Sequence, residues 1–120
     1  MRKRRTFGHI KSQWEVIGGK KHYYRSMMEM NYAKQLEHFK QLGTILEWEH
    51  EPKIFYFEGI KRGVTNYTPD FRVTELDGTC YYCEVKGYFD AKSKTKVRRF
   101  RKYYPEETLV LYPDKLEAQL

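Results

Sequence analysis

The chain has 120 residues, a length for one domain and too short for a catalytic domain plus a separate recognition domain. Hydrophobic residues at 40% and aromatics at 17%, with 11 tyrosines, argue against disorder and for a folded, soluble protein. A formal charge of +7 makes phosphate-rich partners the leading expectation, although a solvated basic surface produces the same count.

The first 13 residues read as a basic tail carrying Arg2, Lys3, Arg4 and Arg5. No hydrophobic signal core follows it, and no apolar run approaches the ~20 residues of a membrane helix, so the expectation is a cytoplasmic protein with no membrane partner. Trp14 to Ile17 and His22 to Tyr24 flank Gly18-Gly19-Lys20-Lys21, the pattern of a small hairpin. Ser26 with Glu29 three residues on forms a capping box, and Met28, Tyr32, Leu36 and Phe39 recur at helical spacing until Gly43, which predicts a helix over 26–42.

Residues 44–58 are rich in Ile, Trp, Phe and Tyr and read as a bent or edge strand, interrupted at Pro52; Glu47, Glu49 and Glu51 alternate along it and read as a solvated face. A glycine-containing loop over 59–66 precedes two strands, 67–76 and 79–87, joined around Asp77-Gly78. A second helix is expected from about 92 to 104, turning Val97, Phe100 and Tyr104 inward and Lys94, Arg98, Arg101 and Lys102 outward, until Pro105 ends it. Residues 108–112 form a last strand, within a single domain over 14–113, and 114–120 a C-terminal tail. Cys80 and Cys83 have zinc-like spacing, but three residues apart on a strand they face opposite sides and read as ordinary thiols.

Chemistry concentrates in Pro69-Asp70-Phe71 on one strand and Glu84-Val85-Lys86 on the next. Glu84 and Lys86 lie two apart and therefore share a face. Asp70 joins them only in one register. A two-residue turn at Asp77-Gly78 pairs Asp70 with Val85; a three-residue loop, Leu76-Asp77-Gly78, with Gly78 left-handed in a bulge, pairs Asp70 with Glu84. The second register also gathers Phe71, Val73, Tyr81, Cys83 and Val85 on the opposite face as a core surface, so packing and chemistry select the same pairing. Two adjacent carboxylates share a proton or hold a cation, and oxygen ligands favour Mg²⁺ or Mn²⁺, an ion able to activate water against a phosphodiester. Lys86 then positions the water or stabilises developing charge. Glu29 is explained by its capping box, yet it shares a helix face with Ala33 and Leu36 and can look toward the sheet.

These elements resemble the PD-(D/E)XK nuclease superfamily over about residues 24–112, with its restriction-endonuclease-like α/β core in the order αβββαβ, a central mixed sheet flanked by helices. Tyr24 to Glu29 before a long helix, then Glu51-Pro52 and Asp70-Phe71, look like small phage junction-resolving-type endonucleases, and Ser26-x-x-Glu29 is similar to the TnsA-type transposition endonuclease. The resemblance implies that Asp70 and Glu84, with the carbonyl of Val85, ligate Mg²⁺ or Mn²⁺, that Lys86 assists the water and that Glu29 completes the catalytic site. It also implies a homodimer on branched DNA. Arg2, Arg4, Arg5, Lys94, Arg98, Arg101 and Lys102 are the expected DNA contacts. Competing readings are a silent nucleic-acid-binding adaptor and the catalytic subunit of a transposition or restriction complex.

Overall fold

In the computed structural model, which describes residues 12–120, two left-handed glycines set the first turn: Gly18 (φ 60°) and Gly19 (φ 78°) close the hairpin of β1 (Gln13–Ile17) and β2 (Lys20–Tyr24). Helix α1 (Met27–Leu42) starts at Ser26, whose Oγ accepts the Glu29 N–H at 3.0 Å, and ends on left-handed Gly43. Its buried face is Glu29, Met30, Ala33 and Leu36, with Met28 and Tyr32 half-buried and Phe39 exposed. The stripe is thus rotated from the expected one, because the sheet and hairpin pack on the Met30–Ala33 side, and the rotation carries Glu29 inward.

The central sheet has the order β3 (Glu47–His50), β6 (Phe71–Thr74), β7 (Cys80–Val85), β8 (Leu109–Tyr112), antiparallel except for the β7–β8 pair, which is parallel. The parallel pair needs a crossover, supplied by α2 (Ala91–Tyr103). Between β3 and β6 lies a separate two-stranded ribbon, β4 (Phe55–Tyr56) with β5 (Asn66–Tyr67). Both long strands expected in this region are therefore broken. Pro52 and the positive φ of Glu51 (49°) end β3, and Pro69, which has no N–H to donate, separates β5 from β6.

Alternation along β7 separates two cores. Cys83 and Val85 join Trp48, Phe71 and Val73 against α1 and the hairpin residues Ile17 and Tyr24. Tyr82 joins Leu109, Leu111, Val97 and Phe100 beneath α2, the ribbon and Leu116. The result is a mixed α+β fold, with helices on both faces of a central mixed sheet. Residues 114–120 are not a loose tail. Asp114–Gln119 form a 3-10 helix that buries Leu116 and pairs Glu117 with Arg101 at 2.7 Å. No helix among the described residues is long and apolar enough to cross a membrane.

Candidate active site

The β6–β7 register (Phe71 opposite Cys83, Thr74 opposite Cys80) runs back one step to set Asp70 opposite Glu84. The hairpin loop is Leu76-Asp77-Gly78. Gly78 has φ 92°, its N–H donates to Glu75 O at 2.9 Å, and the Glu75 N–H donates to Thr79 O at 2.8 Å. The pairing that packing selected in the sequence is the one formed, and Phe71, Val73, Cys83 and Val85 are buried together on the other face.

Both carboxylates are buried, at 3% and 4% exposure, so each must have partners. Asp70 Oδ2 accepts the Val85 N–H at 2.7 Å, and Asp70 Oδ1 lies 3.5 Å from Arg25 Nη2. Glu84 Oε1 accepts the Tyr67 hydroxyl at 2.5 Å, and Glu84 Oε2 lies 3.6 Å from Lys86 Nζ. Burial, then the charges of Glu84 and Glu29, push the Asp70 carboxyl well above its usual range, against the Val85 N–H and Lys86. Burial raises Glu84 as well, opposed by Lys86, Tyr67 and Lys96. Burial and the neighbouring Glu84 hold the Tyr67 phenol protonated, so it remains a donor.

Around the pair the charge reverses. Lys86, Lys92, Lys96 and Arg25 line a hollow of about 500 Å³ with Asp70, Glu84 and the polar stretch 63–68. Burial and the nearby Lys86 lower the proton affinity of Lys96, while Glu84 supports its charge. The Arg25 guanidinium, half-desolvated, is nonetheless held above its usual value by Glu29, Glu51, Asp70 and Glu84, four carboxylates converging on one cation. A second hollow, on the α1 side, is lined by Ser26, Met28, Glu29, Gly87 and Tyr88, and shares Arg25, Asp70 and Lys86 with the first. Asp70 and Lys86 therefore sit where two grooves meet at the end of the sheet.

Glu29 is brought to this place but already has partners. Its Oε1 accepts the Arg25 N–H at 3.2 Å, and its Oε2 lies 2.5 Å from Nε2 of buried His50. His50 Nδ1 in turn lies 3.0 Å from His22 Nδ1 on the hairpin. The three alternating glutamates are not simply solvated. Glu47 pairs with Lys20 and Lys40, Glu49 with Arg72 and Glu51 with Arg25. Although burial opposes it, the Trp48 N–H, Lys40 and Lys20 pull Glu47 down to about 2.

The expected DNA contacts divide. Lys94, Arg98 and Lys102 share the outer stripe of α2, with Arg98 and Lys102 exposed, away from the carboxylate hollow. Arg101 is instead a structural residue. It forks onto Glu117 with contacts of 2.8 and 2.7 Å and donates to Leu109 O at 2.7 Å, which fixes the C-terminal turn. Arg2, Arg4 and Arg5 lie outside the described residues. The cations that reach the site, Arg25, Lys92 and Lys96, are not among the expected contacts, although Lys92 and Lys96 are four apart and so share one helix face. Both thiols are free, Cys80 exposed and Cys83 buried, as their positions on the strand require.

Chemically, Asp70 Oδ1 and Glu84 Oε2 form an all-oxygen donor pair whose proton affinity is raised by burial and, for Asp70, by the neighbouring carboxylates. That is the chemistry a hard divalent ion such as Mg²⁺ matches. The basic hollow beside it suits a phosphate.

Residues 11–116 match the family model described as "Protein of unknown function (DUF1064)", which spans most of the chain; the chain belongs to that family. No curated protein matches the chain.

Proposed function

We propose that this member of the DUF1064 family is a Mg²⁺- or Mn²⁺-dependent endonuclease of the PD-(D/E)XK type, hydrolysing phosphodiester bonds of branched DNA in the cytoplasm. The observation that carries the reading is the juxtaposition of Asp70, Glu84 and Lys86 at a strand end, against a hollow whose other charged lining residues, Arg25, Lys92 and Lys96, are cations. The sheet order, with one helix before three antiparallel strands and a second helix before a parallel fourth, supports the restriction-endonuclease-like assignment.

Asp70, Glu84 and the carbonyl of Val85 would hold the ion, which when bound polarises the phosphate and lowers the pKa of water. The chain's own residues do the rest. The Val85 N–H and the Tyr67 hydroxyl each hold one carboxylate oxygen, leaving Asp70 Oδ1 and Glu84 Oε2 turned to the cations. Lys86 orients the attacking water or meets charge on the pentavalent phosphate, while Lys92, Lys96 and Arg25 fix the phosphate oxygens. Water oxygen bonds to phosphorus and gives up a proton to solvent, the bond to the leaving sugar oxygen breaks, and that oxygen takes a proton back from solvent.

Incubating the purified protein with branched and linear DNA, with and without Mg²⁺, tests this. Metal-dependent cutting that Asp70→Ala abolishes while DNA binding persists is the expected result. Wild-type protein that binds DNA yet never cuts it would instead support the adaptor reading.

A further inference from the structure

We infer that His22, His50 and Glu51 form a second cation site, for an imidazole-preferring transition ion of the Zn²⁺ class, which clamps the β1–β2 hairpin onto the edge of the central sheet. A carboxylate only accepts, so a neutral His50 with Glu29 Oε2 at 2.5 Å carries its proton on Nε2 and offers its Nδ1 lone pair to an ion. That lone pair faces His22 Nδ1 at 3.0 Å. Two imidazole nitrogens each ~2.1 Å from one tetrahedral ion are about 3.4 Å apart, so a small opening of the present contact admits the ion between them.

Glu51 supplies the third donor. Its carboxylate and the ligand atoms of His50 and Glu29 all lie within 4.8 Å of one another; His22 is outside that group but lines one open hollow together with Glu51, so a small side-chain movement would close the set. Its backbone, at φ 49°, is held by its N–H donating to Asp70 O at 2.7 Å. Glu29 plays the orienting part. A carboxylate that fixes the far nitrogen of an imidazole sets its tautomer and raises its basicity toward a metal on the near one.

A separate observation points to the same place. Tyr24, fully buried with its ring 4.4 Å from that of His50, has a hydroxyl without a hydrogen-bond partner among the described residues. A buried donor left unsatisfied is destabilising, and an ion carrying carboxylate or water oxygens offers it an acceptor. Arg25, 3.3 Å from Glu51 and 60% exposed, is the cation an arriving ion displaces, and such an exposed ion pair is weak. Imidazole donors select Zn²⁺, Ni²⁺ or Co²⁺ over Mg²⁺.

The hairpin is not part of the central sheet's hydrogen-bonded ladder. Lys20 Nζ on Trp48 O, at 2.6 Å, and the His22–His50 contact tie it there. An ion at the histidines would join β2 to β3 and hold Glu29 in its bent-back position. The site shares Arg25 with the Asp70–Glu84 hollow but none of that hollow's carboxylate ligands, so zinc binding is read by calorimetry and ring signals whether or not Mg²⁺-dependent cutting is found.

The test is calorimetric titration of the chelator-stripped full chain with Zn²⁺, with melting curves and histidine ring NMR on the same samples. One Zn²⁺ per chain is expected, with a higher Tm, retained in Asp70→Asn and weakened at least tenfold in His22→Ala. In the wild type Zn²⁺ should shift the ring signals of His22 and His50 and leave those of exposed His38 in place, a readout that holds even where a variant folds poorly. No stoichiometric binding, binding lost in Asp70→Asn but kept in His22→Ala, or saturation that leaves the His22 and His50 rings unmoved would each overturn the assignment.

Discussion

Asp70→Asn should stabilise the protein in the absence of divalent ions while abolishing cleavage. The substitution keeps the shape and an oxygen to accept the Val85 N–H, and removes one of two buried like charges. Cross-strand partners are ~5 Å apart, where two carboxylates at an effective dielectric of about 20 repel by roughly 3 kcal/mol. Lys86 at 3.6 Å from Glu84 and Arg25 at 3.5 Å from Asp70 offset part of this, and Arg25, being 60% exposed, is screened. A net gain of about 1–2 kcal/mol remains, a Tm rise of roughly 5 °C.

The pH dependence has a definite sign. Both carboxyls bind protons more readily folded than unfolded. The stability they contribute is present below the ordinary aspartate value of 3.8 and is lost as pH rises through the raised folded values. Wild type and Asp70→Asn should therefore be alike near pH 3–4 and diverge toward neutrality in the variant's favour, with the downward shift of His22 common to both and cancelling. Urea titration with chelator at a series of pH values measures this, and saturating Mg²⁺ should reverse the order. A variant less stable at neutral pH, or a difference that does not change with pH, refutes the account of the pair as charge-strained.

Tyr67→Phe leaves Glu84 Oε1 buried without its donor, so a loss of about 1–2 kcal/mol in urea denaturation is expected, together with a shift of the acidic limb of the cleavage profile to higher pH. Lys92→Ala with Lys96→Ala should weaken DNA binding at every sequence and reduce the log–log salt slope by about 1 per lysine, measured by fluorescence anisotropy over a salt series. Arg101→Ala should leave that slope unchanged but lower stability by roughly 1–3 kcal/mol, because the carboxylate fork and the Leu109 carbonyl lose their donor. At Gly78 an added Cβ meets nothing within 4 Å, so Gly78→Ala should cost only the left-handed backbone term, ~1 kcal/mol by thermal melt, with the Asp70–Glu84 register intact.

Elements with local signals were legible in the sequence. Ser26 and Gly43 bracket α1, Gly18-Gly19 makes the first turn and Gly78 the bulged hairpin, because each acts through its own backbone. What was not legible depended on partners distant in sequence. Pro69 splits a run of strand-like residues because Tyr67 finds Phe55 on a separate ribbon rather than continuing beside β7. The tail at 114–120 folds because Glu117 meets Arg101, 16 residues away, and Leu116 finds the α2 core.

The candidate site divides along the same line. Asp70, Glu84 and Lys86 could be read because period-two alternation and one hairpin register decide their faces, and both are properties of a contiguous stretch. Arg25, Lys92, Lys96 and His50 could not, because they reach the carboxylates from the end of β2, from α2 and from β3, which only the completed sheet brings together. Composition alone promised basic residues without saying which. The geometry separates them by what surrounds each one. An arginine facing a carboxylate and a carbonyl, as Arg101 does, has its donors engaged in holding the fold, whereas a lysine part-buried and crowded by another lysine, as Lys96 is, has its proton affinity lowered and would gain most from an approaching phosphate. That difference makes the Lys92–Lys96 face of α2, not its outer stripe, the side on which DNA should lie.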